Sequence, residues 1–390
     1  MNKPERIPEL DVLRGFALLG VFIVHFVGVP FYELPLEESQ RALWESQLQH
    51  SAAVYVSDLL FQNKANTLFA TLFGMGFWIM LQRISARDPN FVRIYQRRLA
   101  ALLAIGLLNL FLVFPGDVLH VYALIGWLLL AMRNWSSNTM LYLGLALALL
   151  ADPVFDHVLP SLGGPEEVYE SAMMDAFNEE RYLVWVKIMT GAYIDEEFLH
   201  GGLIAWALYL LGRFLIGAWV MREQWIQRAR RHLPRLRSVA AWLLIIGLAA
   251  EVWSLLIFKE KVSGSPLFDG LLHAVGAPMM AVGYALTLVY LCNSARWQRL
   301  ALWLAPVGRI ALTAYVLHGA IFTLLYMPFG LGMLGTLGPA HALLAALALY
   351  SFLTAFSFIW LRRYRYGPLE YLWRWVTYRE QPAFRVNRIT

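Results

Sequence analysis

Charge is scarce in this chain. Asp, Glu, Lys and Arg together make up 15% of 390 residues, while 59% are hydrophobic. A soluble domain of that length needs far more polar surface, so a water-soluble globule is excluded. Cysteine is nearly absent. Cys292 stands alone inside an apolar run, which rules out an intrachain disulfide framework and a thiolate metal centre. No Gly-rich phosphate loop and no serine nucleophile elbow occur, so those two chemistries have no support. No internal repeat is visible, which speaks against an inverted-repeat transporter.

What is present is a succession of apolar runs near the ~20 residues that cross a hydrocarbon core. They predict an all-α, polytopic membrane helix bundle with spans at 10–29, 56–82, 97–115, 118–132, 138–151, 202–221, 238–258, 268–292, 300–326 and 338–361. The fourth and fifth are short, as tilted or broken helices would be. The first run, from Leu10, is longer than a signal core and lacks a small-residue cleavage site, so it reads as the first span. Fifteen Trp and eighteen Tyr suit two aromatic interface belts.

The loops give an orientation. Lys and Arg concentrate in alternate loops: Lys3 and Arg6, Arg83 to Arg98, Arg133, Arg222 to Arg237, Arg296 and Arg299, and the tail from Arg362. These hold 23 of the 32 basic residues. The opposite loops carry Glu33, Glu37, Glu38 and Glu45, then eleven Asp and Glu between Asp152 and Glu197. Positive loops stay inside, so both termini are expected in the cytoplasm. The net charge of +5 is then a rim facing the membrane surface, and no nucleic-acid partner is expected. The whole chain, 1–390, reads as one membrane domain with a cytoplasmic tail over 362–390. Residues 152–199 form the one long extramembrane segment. There EEVYESAMMDAFNEERYLVWVKIM predicts one or two amphipathic helices capping the bundle from outside, after a break at Pro160, Gly163 and Gly164.

Ionisable side chains inside spans cost about 2.5–3.5 kcal/mol each at a helix centre, so each needs a reason. Asp11 and Arg14, three apart, share a face of the first span, and His25 follows eleven residues later on nearly the same face. The plainer reading is an orienting ion pair plus an interfacial histidine. Asp58, Lys64 and Asn66 lie in the second span, where Lys64 sits too deep to snorkel and calls for a partner or an anionic ligand. Asp117, His120 and Tyr122 open the fourth span; helix capping explains Asp117 but not His120. Arg309, Tyr315 and His318 share the ninth span, where Arg309 calls for a counter-ion or a phosphate. Arg213 and Glu251 read as buried structural charges. Eight of the nine histidines fall on the outer half. No pair has the spacing of a helical metal site, so no metal is expected.

Several motifs carry a resemblance. LDVLRGFALLG, LFATLFGMGF, GDVLHVYALIG, VGRIALTAYVLHG and YRYGPLEYLWRWVTY resemble the bacterial domain of unknown function 418 family, the YeiB-like membrane proteins, over essentially the whole chain. Gly367-Pro368-Leu369-Glu370 with Trp373 and Arg374 is the most specific part. That family label carries no reaction to transfer. Leu10, Asp11, Leu13, Arg14 and His25 are also similar to the opening of acyltransferase family 3 proteins. This similarity implies a catalytic His25 and acyl transfer from cytoplasmic acyl-CoA to an extracytoplasmic acceptor. His50 with Asp58-Leu59-Leu60-Phe61 resembles the heparan-α-glucosaminide N-acetyltransferases, although the spacing differs.

Two function classes fit these residues. In the first, an acyltransferase, Asp11, Arg14, Lys64 and Arg309 bind the carrier, acyl-CoA, as a co-substrate and not as a resident cofactor. His25 or His318 removes the acceptor's proton, Tyr315 or Tyr122 polarises the thioester carbonyl, and His120 with Asp117 completes the catalytic candidates. In the second, a transporter or flippase, the same charges line the path of an anionic amphiphile or metabolite. A structural or sensory role for the polar pairs is the blandest alternative. Membrane lipids are partners in every case, and the Trp- and Gly-rich span faces permit a homodimer.

Overall fold

The computed structural model describes residues 7–157, 166–195, 202–259 and 261–386. Among them the chain is helical throughout, with no strand. Six helical runs are long and apolar enough to cross a membrane: Pro8–Tyr32, Leu48–Ser85, Phe91–Leu112, Leu233–Phe258, Leu267–Cys292 and Pro339–Arg363. Shorter apolar helices occupy Leu119–Asn134, Ser137–Ala151 and Ala311–Tyr326. Helices satisfy every backbone polar group internally, which hydrocarbon demands. A chain built of such runs is an integral membrane protein. The Leu233–Phe258 helix shows the lipid-facing pattern plainly, with Val239, Trp242, Ile245, Ile246 and Trp253 turned outward. The 152–199 segment contains two helices, Glu166–Phe177 and Tyr182–Tyr193. Its breaker residues Pro160, Gly163 and Gly164, like His200, lie outside the described residues.

Three irregularities set the geometry of the interior. The first helix runs Pro8–Ile23, widens into a π-helical turn at Val24–Gly28, and resumes at Val29–Tyr32. The second run is interrupted between Leu48–Leu60 and Lys64–Ser85, where Asn63 takes a left-handed conformation at φ 59°. The sequence reading of one span over 300–326 gives way to three pieces, Gln298–Leu302, Ala305–Arg309 and Ala311–Tyr326. Pro306 explains part of this: with no N–H to donate, it belongs in a first turn. Arg309 therefore ends a short helix and does not lie in the Ala311–Tyr326 helix that carries Tyr315 and His318.

The first helix and the Ala305–Arg309 helix touch backbone to backbone. A side chain on Gly308 would run into the Asp11 carbonyl, and one on Gly15 into the Leu304 carbonyl. Small residues at a helix crossing permit that approach. Tyr350 adds a third element by donating to the Gly15 carbonyl at 2.8 Å.

The Gly-Pro-Leu-Glu motif has a structural task. The Ala311–Tyr326 helix begins with unsatisfied N–H groups, as every helix does. Glu370, from the Pro368–Tyr378 helix, accepts from the N–H of Leu312 at 2.7 Å and of Thr313 at 3.1 Å, and from the Thr313 hydroxyl at 2.6 Å. A negative charge there also complements the helix dipole. Burial pushes the Glu370 carboxyl up from its ordinary value, against the pull of these hydrogen bonds. Glu370→Ala is expected to cost about 2–3 kcal/mol and Glu370→Gln roughly half of that. Melting in detergent checks this, and unchanged melting of both variants would remove the capping role.

Candidate active site

His25 lies in the π turn Val24–Gly28, and π turns recur at functional positions because they re-aim side chains. It faces His318, which comes from the Ala311–Tyr326 helix, with Nδ1 of His25 2.7 Å from Nε2 of His318. His318 is fully buried and its Nδ1 stands 2.5 Å from the Tyr315 carbonyl oxygen. A carbonyl only accepts, so Nδ1 of His318 carries the proton and its Nε2 is bare when the ring is neutral. His25 must then donate from Nδ1, which leaves Nε2 of His25 as the unprotonated nitrogen. His25 as a residue is half-buried, whereas His318 is fully buried. Phe22 stacks on His318 with centroids 4.7 Å apart, and Phe114 packs against both imidazoles at 5.0 and 5.7 Å. The result is a rigid imidazole pair with a preset tautomer.

Tyr315 joins this pair to a second polar group. Its hydroxyl accepts from the Val118 N–H at 3.1 Å and reaches the Gly116 carbonyl at 3.4 Å, gripping the turn that carries Asp117. Asp117 is buried and accepts from the Asn109 amide at 2.8 Å, the His120 N–H at 3.1 Å and His120 Nδ1 at 2.9 Å. Nε2 of His120 in turn accepts from the Tyr193 hydroxyl. Asp117, His120 and Tyr193 form a carboxylate–imidazole–phenol chain. Tyr193 ends the Tyr182–Tyr193 helix, which this contact ties to the bundle. Sequence reading missed Tyr193 and Asn109. Asn109 could have been found as a polar residue in an otherwise apolar run; Tyr193 carries no such signal.

The other candidates sit apart from the histidine pair. Arg14 pairs with Asp11 at 3.3 Å on the first helix. Lys64 is fully buried and bonded to Glu251, with the Asp58 carbonyl at 3.0 Å. His273 donates to the same Glu251 oxygen at 3.1 Å and accepts from Asn63 at 2.5 Å. Arg213, also buried, donates to Thr67 at 2.9 Å and covers the Tyr209 ring. Tyr122 reaches Asn66 at 3.5 Å. His50 accepts from the Ala340 N–H at 3.1 Å at the start of the Pro339–Arg363 helix. Among the described residues no group of three or more His, Cys, Asp or Glu could hold a metal ion.

Comparison with known proteins supplies the wider setting. The family described as "Protein of unknown function (DUF418)" matches residues 220–380, a region that includes His318, Glu370 and the C-terminal helix. Similarity to individual proteins runs the full length and brings in the first helix. The uncharacterized protein YeiB of Escherichia coli (strain K12) is 30% identical, covering 96% of this chain and 97% of that protein. The uncharacterized protein YxaH of Bacillus subtilis (strain 168) is 28% identical, covering 99% and 98%. With near-complete coverage on both sides, this chain belongs to the DUF418 family of YeiB-like membrane proteins.

Proposed function

We propose that this chain is an acyltransferase of the bacterial cytoplasmic membrane, passing an acyl group from acyl-CoA on the inner side to a hydroxyl or amine acceptor on the outer side. The observation that carries the reading is the His25–His318 pair, whose hydrogen bonds leave Nε2 of His25 as the unprotonated nitrogen. That nitrogen takes the proton as the acceptor oxygen or nitrogen forms its bond to the thioester carbonyl carbon. The C–S bond then breaks, and the CoA thiolate recovers the proton from the His25 imidazolium. His318 orients the ring throughout and shares its charge. In this reading the helices form ten spans with both termini cytoplasmic, because the arginine-rich loops alternate with the acidic ones. The extramembrane segment lies on the acceptor side, where Asp117, His120 and Tyr193 meet.

Purified protein in neutral detergent is expected to melt at higher temperature with acyl-CoA than with free adenosine, since a ligand of the folded state stabilises it by mass action. It should also release CoA thiol slowly, with water as the surrogate acceptor. If neither acetyl- nor palmitoyl-CoA changes melting or is consumed, the reading fails. A second reading, transport of an anionic amphiphile, is favoured by the interrupted Leu48–Leu60 and Lys64–Ser85 helix with the buried Lys64–Glu251 pair at its break. Movement of substrate across liposomes without thioester consumption would select it.

A further inference from the structure

Two arginines at the arginine-rich end of the bundle, Arg98 and Arg374, are held by aromatic rings instead of by carboxylates. Arg98 stands on the Phe91–Leu112 helix with its guanidinium carbon 3.3 Å from the centroid of the Trp373 ring, and the Trp373 indole N–H donates to the Arg98 carbonyl at 2.8 Å. One residue on, Arg374 lies over the rings of Tyr366 at 4.7 Å and Tyr378 at 5.4 Å. The charge of Arg98 feels both Arg374 and Arg14, with Tyr95 and Tyr378 alongside. Arg14 reaches over Gly76, where an added Cβ would sit 3.4 Å from Nη2, so the guanidinium occupies the space that a larger residue would take. The three arginines come from three helices, and all are half-buried.

The charges of Arg98 and Arg374 are poorly offset. Asp11 pairs with Arg14. Among the described residues no carboxylate pairs with Arg98 or Arg374, and Glu370, one turn before Arg374, spends its oxygens on Leu312 and Thr313. The Nε atom of Arg374 is buried with no acceptor. Partly desolvated like charges repel, and a buried guanidinium N–H without an acceptor carries a full desolvation cost. Trp373, Tyr366 and Tyr378 fix the guanidinium groups of Arg98 and Arg374, and Asp11 holds that of Arg14, so the cluster is pre-organised.

We infer that Arg14, Arg98 and Arg374 form a binding site for a multiply charged phosphate group. Two sources supply such a group, a soluble nucleotide bisphosphate and the headgroup of an anionic phospholipid. The site stands on its own charges and does not depend on acyl transfer.

Calorimetric titration of inorganic pyrophosphate into the full chain in neutral maltoside detergent tests it. Saturable binding of one pyrophosphate per chain, weakened by added salt, is expected. Arg98→Gln and Arg374→Gln should each weaken it about tenfold or more, as loss of a charge-assisted hydrogen bond does. Arg299→Gln, at an exposed arginine of another basic loop, should leave it unchanged. Displacement by adenosine 3′,5′-bisphosphate assigns the site to a soluble ligand, and displacement by cardiolipin added to the micelles assigns it to a lipid. Absence of saturable binding to the wild type overturns the site whatever the variants do. So does an affinity that falls equally in Arg299→Gln. If acyl-CoA is consumed while pyrophosphate does not bind, acyl transfer stands and this site falls; the converse separates them the other way.

Discussion

His25→Ala is expected to lower CoA release from acyl-CoA by a factor of about 10²–10⁴, the usual contribution of a positioned general base. Stability should change little by comparison. The substitution leaves the buried Nε2 of His318 without its donor, which costs about 1–2 kcal/mol. His318→Ala should reverse that balance. It removes a fully buried ring that stacks on Phe22 and meets Phe114 edge-on, so melting falls further, by about 2–4 kcal/mol. Its effect on rate should be smaller, about 10–10²-fold, and confined to kcat, because His25 keeps its reactive nitrogen and loses only the partner that fixes its tautomer. His120→Ala separates the two polar groups. If it abolishes CoA release while His25→Ala does not, the base is the His120 of the Asp117–His120–Tyr193 chain, and the assignment to His25 is wrong. Full activity in both variants would remove general-base catalysis by histidine altogether.

The helical membrane architecture was legible because hydrophobic length reports directly on burial in hydrocarbon. The polar side chains of the bundle interior were legible one by one, since each polar residue in an apolar run demands an explanation. His25, His318, Asp117, His120 and Lys64 were all found that way. Their pairings were not. His25 and His318 are separated by 293 residues, and Lys64 and Glu251 by 187. No local pattern encodes such contacts. The π turn that aims His25 leaves no mark in VHFVG beyond the histidine itself. Pro306 did announce a break in the ninth apolar run, but hydropathy alone reads across it. Arg98 and Arg374 were read as part of the basic rim, because a count of loop charges does not show which of them face one another. The Gly-Pro-Leu-Glu motif stood out as specific, and its role as the cap of the His318 helix emerges only once Glu370 is seen against Thr313.

The largest stability effect is expected from Lys64→Met. Lys64 and Glu251 are bonded to each other in the interior, and one Glu251 oxygen, Oε1, is already buried without a partner. Removing the lysine leaves a buried carboxylate with only His273 against it, which costs about 3–5 kcal/mol. The double substitution Lys64→Met with Glu251→Leu should recover most of that loss, because two apolar side chains of similar volume avoid the desolvation penalty altogether. His273 then loses its carboxylate acceptor, but its side chain is 31% exposed, so a lipid headgroup or water can take its place. Melting of the two single variants and the double variant in detergent measures the coupling directly, and a coupling near zero would mean that the pair is not shielded from water. Function distinguishes what the pair is for. A stable double variant that still consumes acyl-CoA makes the pair a structural tie between the broken second helix and the Leu233–Phe258 helix. A stable double variant that binds its substrate but neither transfers nor moves it makes the buried charges part of the path, and that outcome would shift the balance from acyl transfer toward transport.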